Sequence, residues 1–402
     1  MFELKRILSF SLICINLLFA FSMAISPVSV AEQVTLNIYN WGEYISDGSD
    51  DTVDVNKAFE EKYPHIKINY INYASNEDLY GKLKAGGSSY DVIFPSDYMI
   101  SRMIEENMLE KIDVSKLENY KYIDDRYKNL EYDPNNEYSV PYSVGMVGVI
   151  YDSTKVVSED TGSWNLLWNE KYKGQILNFN NSRDAFATAQ FLLGKSVNSD
   201  DKADWLEALE KLKEQKPLLQ GYVMDEVFLK MQGGNAAVAT YYAGDFLTMY
   251  SENDDLAFYY PKEGTNFFVD AMCIPKGSKN IEEAMLYIDF LLSEEIAVAN
   301  AEYICYASPN TLVPQNEEYI EYIQEMHPDA LEILYPQATA FRTESYLNLS
   351  EEMRRYESQL WEELMSYGSQ DAGIYILSIV LAVGILTLWI TASIRKRRLS
   401  KY

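Results

Sequence analysis

Val34-Thr35-Leu36-Asn37-Ile38-Tyr39-Asn40-Trp41-Gly42-Glu43-Tyr44 is the stretch from which the rest of the chain is read. Val34, Leu36, Ile38 and Asn40 fall on one face and Tyr39 and Trp41 on the other, a period of two that predicts a first β-strand, and Gly42 breaks it. Two aromatic rings and one carboxylate then cluster at the strand's mouth. Rings attract an organic cation through their π-faces, about 0.5–2 kcal/mol each, and a carboxylate pairs with an ammonium, so Trp41, Glu43 and Tyr44 form a candidate cation site. A strand end in an ordinary core buries the same ring types, and this stretch alone leaves both readings open.

Downstream the same order repeats. Val55, Phe59 and Tyr63, four apart, predict a helix ended by Pro64, and Ile66, Ile68 and Tyr70 alternate as a second strand. Ser75 and Asp78 cap a helix to Ala85 that Gly86-Gly87 close, and Asp91 to Phe94 is a short buried strand. Pro95-Ser96-Asp97-Tyr98 ends it and opens a helix, which places Ser96 and Tyr98 at a strand's carboxyl end, where open α/β sheets bind ligands. Gln175 to Phe179 likewise runs into Asn180-Asn181-Ser182-Arg183-Asp184, and Ala236 to Tyr242 into Ala243-Gly244-Asp245. Trp164 and Trp168, at i and i+4, read as core. Two long apolar runs, Pro141 to Tyr151 and Phe267 to Ile274, predict crossings between two α/β halves; Phe268 and Asp270 share a face of the second. Residues 344–367 predict one amphipathic helix with a stripe of Tyr356, Leu360, Leu364 and Tyr367. The sum is a two-lobed α/β clamshell that closes by a hinge around a small ligand.

The ends predict export and anchoring. Lys5 and Arg6, an apolar run to Ile25 and the small residues Ser29 and Ala31 read as a cleaved signal peptide over residues 1–31. Ile374 to Ile394 carries no charge across 21 residues, about 31 Å as a helix, and is followed by Arg395-Lys396-Arg397-Arg398; this predicts a C-terminal transmembrane helix with residues 395–402 as a cytoplasmic basic tail. Between them the expected division is 32–142 with about 272–306 as one lobe, 143–271 with about 307–345 as the other, and 346–371 as a helix and tether. Acidic residues number 61 against 34 basic, a net charge of −27, which favours cations and excludes nucleic acid as a partner. Outside the leader only Cys273 and Cys305 remain, enough for one disulfide or two free thiols.

The motifs of hydrolases, metalloenzymes, P-loops and dinucleotide folds are missing, and His65 and His327 have no partners that would make them catalytic or metal ligands. No cofactor or metal is expected. A carboxylate-pair glycoside hydrolase is not ruled out by motif alone, because so many acids can supply a pair.

In Tyr39 to Tyr44, Ser75-Asn76-Glu77, Pro95 to Tyr98, Glu110 to Asp113, Asp133 to Tyr142, Tyr172-Lys173-Gly174, Tyr260-Pro261-Lys262-Glu263-Gly264 and Ser308-Pro309-Asn310, the sequence resembles the spermidine/putrescine-binding proteins that serve ABC transporters. The segments run in order over most of residues 33–365. The resemblance implies a periplasmic-binding-protein fold, no enzymatic activity, and a cleft in which aromatic walls flank a polyamine and acids hold its nitrogens. Carried over by position, Trp41 and Tyr44 match the first aromatic pair, with Glu43 a nearby acid, and Ser96 and Tyr98 match the next segment. Asn181 and Asp184 stand where spermidine-type members have two acids. Tyr242 and Phe268 replace tryptophans, and Asp270 is the retained central anchor. An amide at position 181 removes one charge, which leaves spermidine against putrescine undecided. A cation at Arg342, near a polar contact of the family, is expected to point away. The expected function is a membrane-anchored receptor that delivers a polyamine to a permease. A sensor of the same fold is the alternative, although eight residues after Ile394 hold no effector domain.

Overall fold

The computed structural model of the protein describes residues 33–368, save 50–51, 87–88 and 338–339. In chain order the strands and helices are β1 (Val34–Trp41), α1 (Val55–Lys62), β2 (Ile66–Tyr73), α2 (Asn76–Ala85), β3 (Val92–Ile93), α3 (Asp97–Glu105), β4 (Ser139–Asp152), β5 (Ile176–Phe179), α4 (Ser182–Leu192), α5 (Lys202–Gln215), β6 (Leu219–Val223), α6 (Glu226–Gln232), β7 (Val238–Tyr242), α7 (Ala243–Glu252), β8 (Leu256–Tyr259), β9 (Thr265–Cys273), α8 (Ile281–Leu291), α9 (Glu294–Ile304), α10 (Glu317–Met326), α11 (Ala330–Leu334), β10 (Thr343–Glu344) and α12 (Glu351–Ser366).

The strands pair in the order β2-β1-β3-β9-β4-β7-β5-β6. At one end β2, β1 and β3 are parallel, and at the other β7, β5 and β6 are parallel. Between them β9 and β4 run antiparallel from Ser139↔Cys273 to Met146↔Phe267, with a register shift between Pro141 and Ser143. Two long strands thus belong to both halves: β9 pairs with β3 through Ile93↔Cys273, and β4 pairs with β7 from Val147↔Tyr242. This is a two-lobed α/β clamshell, and the two apolar crossings expected from the sequence are these strands.

Local chemistry explains the elements nearest the site. Ser75 caps α2 by accepting the Asp78 amide at 3.1 Å, and Asn181 caps α4 by accepting that of Asp184 at 3.4 Å. Leu36, Ile38 and Tyr39 are all fully buried, because helices cover both faces of β1. Trp164 and Trp205 are fully buried core residues, the first donating its indole N–H to the Gly264 carbonyl at 2.8 Å. Cys273 and Cys305 are both buried and free.

Two expectations need correction. The clamshell stands, but a C-terminal transmembrane helix does not belong to the described fold: among the described residues no helix is long and apolar enough to cross a membrane, and Ile374–Ile394, like the signal segment 1–31, lies outside them. The helix expected over 344–367 is α12 alone, starting at Glu351. Thr343-Glu344 instead pair with Thr265-Asn266 of β9, and Ser350 caps α12 through the Met353 amide at 3.3 Å. Residues 345–349 therefore remain extended, with consequences for the site.

Candidate functional site

The strand ends of the first lobe bring Trp41, Tyr44, Ser96 and Tyr98 to the line where β9 crosses. Trp41 donates its indole N–H to the Phe94 carbonyl at 2.8 Å, and its ring lies 4.7 Å from that of Tyr73. Asn76 ties the next segment together, donating to Ser96 Oγ at 3.0 Å and to the Tyr98 hydroxyl at 3.1 Å. Ser96 also forms an antiparallel bridge with Asp270, which fixes that carboxylate at the junction of the lobes.

Asp270 is 5 % exposed. The Tyr44 hydroxyl donates to its Oδ2 at 2.6 Å, and the Tyr44 carbonyl is held by the Tyr142 hydroxyl at 2.9 Å. Its other oxygen, Oδ1, is buried and has no well-aligned hydrogen-bond partner among the described residues, with the Ser96 side chain nearby. Burial pushes the carboxyl up to about 6 despite the Ser96 and Tyr44 side chains, which both favour its charged form. Asp97 beside it is fully buried, accepts the amides of Tyr98 at 2.7 Å and Val269 at 3.4 Å, and is also raised by burial.

From Tyr44 an aromatic wall runs into the second lobe. Ring centroids are 6.1 Å apart for Tyr44–Tyr306, 5.9 Å for Tyr306–Phe268 and 5.5 Å for Phe268–Tyr242, all edge-on or nearly so. Two glycines make room for it. A side chain at Gly145, cross-strand from Phe268, or at Gly244 would run into the rings of Phe268 and Tyr306 respectively. At the far end the Tyr242 hydroxyl donates to Asp184 Oδ2 at 3.0 Å and the Tyr346 hydroxyl to Asp184 Oδ1 at 2.8 Å. Midway, Tyr306 donates to Asp245 at 2.8 Å, and burial pushes that carboxyl up to about 7. Burial also raises the phenols of Tyr44, Tyr242, Tyr306 and Tyr346 well above their ordinary range, so at neutral pH each is a donor.

Eight of the ten residues singled out from the sequence come together here: Trp41, Tyr44, Ser96, Tyr98, Asp184, Tyr242, Phe268 and Asp270. Glu43 does not. Its backbone is left-handed, with φ 49°, the side chain is exposed, and its carboxylate accepts the Tyr303 hydroxyl at 2.7 Å. Asn181 is exposed as the cap of α4. Arg342 turns out to the Lys195 carbonyl and Glu344, as its charge led us to expect. Sequence reasoning missed Tyr306, Asp245 and Tyr346. The Ala243-Gly244-Asp245 turn at a strand end was the available signal for Asp245; Tyr346 was hidden by reading its segment as helix. Among the described residues no group of three or more His, Cys, Asp or Glu could hold a metal ion.

Buried phenols, aromatic rings and one unmatched carboxylate oxygen suit a linear organic cation. A cation held by ionised Asp270 loses affinity as that carboxyl protonates, so affinity is expected to break downward as pH drops through about 6, in addition to the effect of Asp245 titrating near 7 in the same wall. Calorimetric titration from pH 5 to 8 checks this, and a profile without a break near 6 would remove Asp270 as the anchor.

The family model for bacterial extracellular solute-binding proteins matches residues 55–327. A spermidine/putrescine-binding periplasmic protein of Salmonella typhimurium is 34% identical over 292 residues, 72% of this chain and 82% of that protein. The putrescine-binding periplasmic protein PotF of Escherichia coli is 30% identical over 308 residues, 72% of this chain and 81% of that one. The structure of the spermidine/putrescine ABC transporter substrate-binding protein PotD from Streptococcus pneumoniae superposes with a TM-score of 0.72 at 32% identity, covering 83% of this chain and 99% of that one. These relatives are binding proteins and not enzymes. The chain belongs to the bacterial extracellular solute-binding proteins, within the spermidine/putrescine-binding family of that class.

Proposed function

We propose that this protein is the receptor of an ABC importer for polyamines, capturing the ligand outside the cell membrane and handing it to a permease. The observation that carries the reading is the Asp270 carboxylate, buried at the junction of the lobes with Oδ1 lacking a well-aligned partner beside a wall of rings. A protonated amine supplies what that oxygen lacks, and the ring faces cover the methylenes between amines. The ligand also explains closure. Without a cation, burying Asp270 and Asp97 against each other is costly; with one, the same burial strengthens the ion pair. Differential binding of this kind shifts a hinged protein toward its closed form, the form a permease can recognise as loaded.

Residues 32–142 with about 272–306 form the first lobe in this scheme, and 143–271 with about 307–345 the second. In support, α9 packs on α1 and α8 and α10 and α11 pack on α7, with α9 and α10 meeting at the boundary between the two. Calorimetric titration with putrescine, spermidine and spermine, and with a maltooligosaccharide as control, tests the function. Micromolar or tighter binding of a polyamine and none of the sugar is the expected result; no heat with any polyamine would leave the family describing only the fold.

A further inference from the structure

The two carboxylates at the ends of the aromatic wall are not equivalent. Asp270 receives the Tyr44 hydroxyl on Oδ2 and has the Ser96 side chain nearby, but its Oδ1 is buried without a well-aligned partner among the described residues. Asp184 receives two, one on each oxygen, from Tyr242 and Tyr346. The guanidinium of Arg183, the adjacent residue, lies 4.5 Å from the centroid of the Tyr346 ring and favours the charged form of Asp184 without forming an ion pair with it. One end of the wall therefore offers an unmatched acceptor, and the other a carboxylate already supplied with donors and a positive neighbour.

Tyr346 is not free to swing aside. Its segment is tied down on the second lobe, where Glu344 accepts the Ser196 hydroxyl at 2.7 Å and the Val197 amide at 3.1 Å. Asn198 holds the residues on either side, donating to the Ser345 carbonyl at 2.7 Å and accepting the Leu347 amide at 2.9 Å. Asn348 then reaches α3 of the first lobe, donating to Glu105 at 2.7 Å. Arg183 is fixed to the same segment and its neighbour, donating to the Leu347 carbonyl at 3.4 Å and to Asn198 Oδ1 at 3.1 Å. A ring held at this many points is a preorganised wall, and moving it would break bonds on both lobes.

We propose that Tyr346 and Arg183 block and neutralise the Asp184 end of the wall, so that the site takes a short linear diamine, with one ammonium on Asp270, in preference to a triamine. The inference rests on the polyamine reading above. The second ammonium of a short diamine lies among ring faces and phenol oxygens, which tolerate it without a further carboxylate. A triamine has to bring its far ammonium to the tyrosine ring and the guanidinium, where it meets bulk and like charge.

The test is calorimetry on the full chain with putrescine, cadaverine and spermidine. Both diamines are expected to bind at least about tenfold more tightly than spermidine, the scale of one unfavourable charge contact. Tyr346→Gln removes the ring and is expected to shift the spermidine-to-putrescine affinity ratio toward spermidine by about tenfold, whereas Tyr346→Phe keeps the ring and shifts it less. Spermidine bound as tightly as putrescine by the unaltered protein overturns the proposal, as does an unchanged ratio in Tyr346→Gln. Should that variant fail to fold, the ratio in the unaltered protein and its change in Tyr346→Phe decide. If none of the three amines binds, it is the polyamine reading that has failed, and this inference falls with it.

Discussion

Asp270→Asn is expected to weaken polyamine binding by about 30- to 4,000-fold, because truncating one partner of a buried hydrogen-bonded charge pair costs about 2–5 kcal/mol. Asparagine is nearly isosteric and keeps an oxygen for the Tyr44 hydroxyl, now 2.6 Å from Oδ2. What changes is the position of Oδ1, which has no well-aligned partner among the described residues. An amide nitrogen there points donors at an ammonium that needs an acceptor. The substitution also removes the carboxyl that titrates near 6, so the break in affinity at that pH should disappear, while the contribution of Asp245 near 7 remains. Folding moves the other way. A carboxyl raised by burial favours the protonated form, so its contribution to stability is complete below the unfolded value near 4 and is lost as pH rises through about 6. The closed, ligand-free variant should therefore be more stable than the parent at pH 7 and lose that advantage near pH 4, as seen by thermal melts at the two pH values. Affinity unchanged in Asp270→Asn would remove this residue from the site.

Gly244→Ala is expected to weaken binding at least about tenfold and to destabilise the protein by roughly 1–3 kcal/mol, the range for overpacking a filled interior. Gly244 is in the first turn of α7, where alanine is ordinarily the better helix former by about 1 kcal/mol. Here a methyl would run into the Tyr306 ring and lie 2.5 Å from the Cys305 carbonyl oxygen, which is backbone and cannot rotate away. Tyr306 must shift, and with it go its bond to Asp245 and its edge contacts with Tyr44 and Phe268. Gly81→Ala is the control. Gly81 is within α2, and a methyl there meets nothing within 4 Å, so that change should stabilise by about 0.5–1 kcal/mol. Calorimetry and thermal melts on both variants separate the two cases; equal behaviour would mean that the Gly244 contact is relieved without moving the wall.

Much of the scaffold was legible because its causes are local. Alternating apolar residues in β1 and β2, the cap at Ser75, and the apolar runs of β4 and β9 each depend on neighbours a few residues apart, and a period can be read from one chain. The order of strand, turn and helix then placed Trp41, Tyr44, Ser96, Tyr98, Asp184 and Tyr242 at strand ends, and Phe268 with Asp270 on one face of a crossing strand, without any knowledge of what faced them. Family resemblance gave Asp184, Tyr242, Phe268 and Asp270 their expected roles and narrowed the cation to a polyamine.

Tertiary structure decided what each side chain does there. Glu43 and Asn181 have the right chemistry, yet a left-handed backbone turns one to Tyr303 and a helix cap occupies the other. Tyr346 has no local signal at all. Its segment carries an amphipathic pattern compatible with helix, but pairing of Thr343-Glu344 with β9 and anchoring by Ser196 and Asn198 hold it extended, and those partners are about 80 and 150 residues away in sequence. Whether a carboxylate is satisfied or left unmatched is likewise a property of the assembled cleft. Asp184 and Asp270 look alike in the sequence, and only folding gives one two hydroxyls and leaves the other an open oxygen, because hydrogen bonds between segments far apart in the chain join residues that composition and periodicity treat as independent.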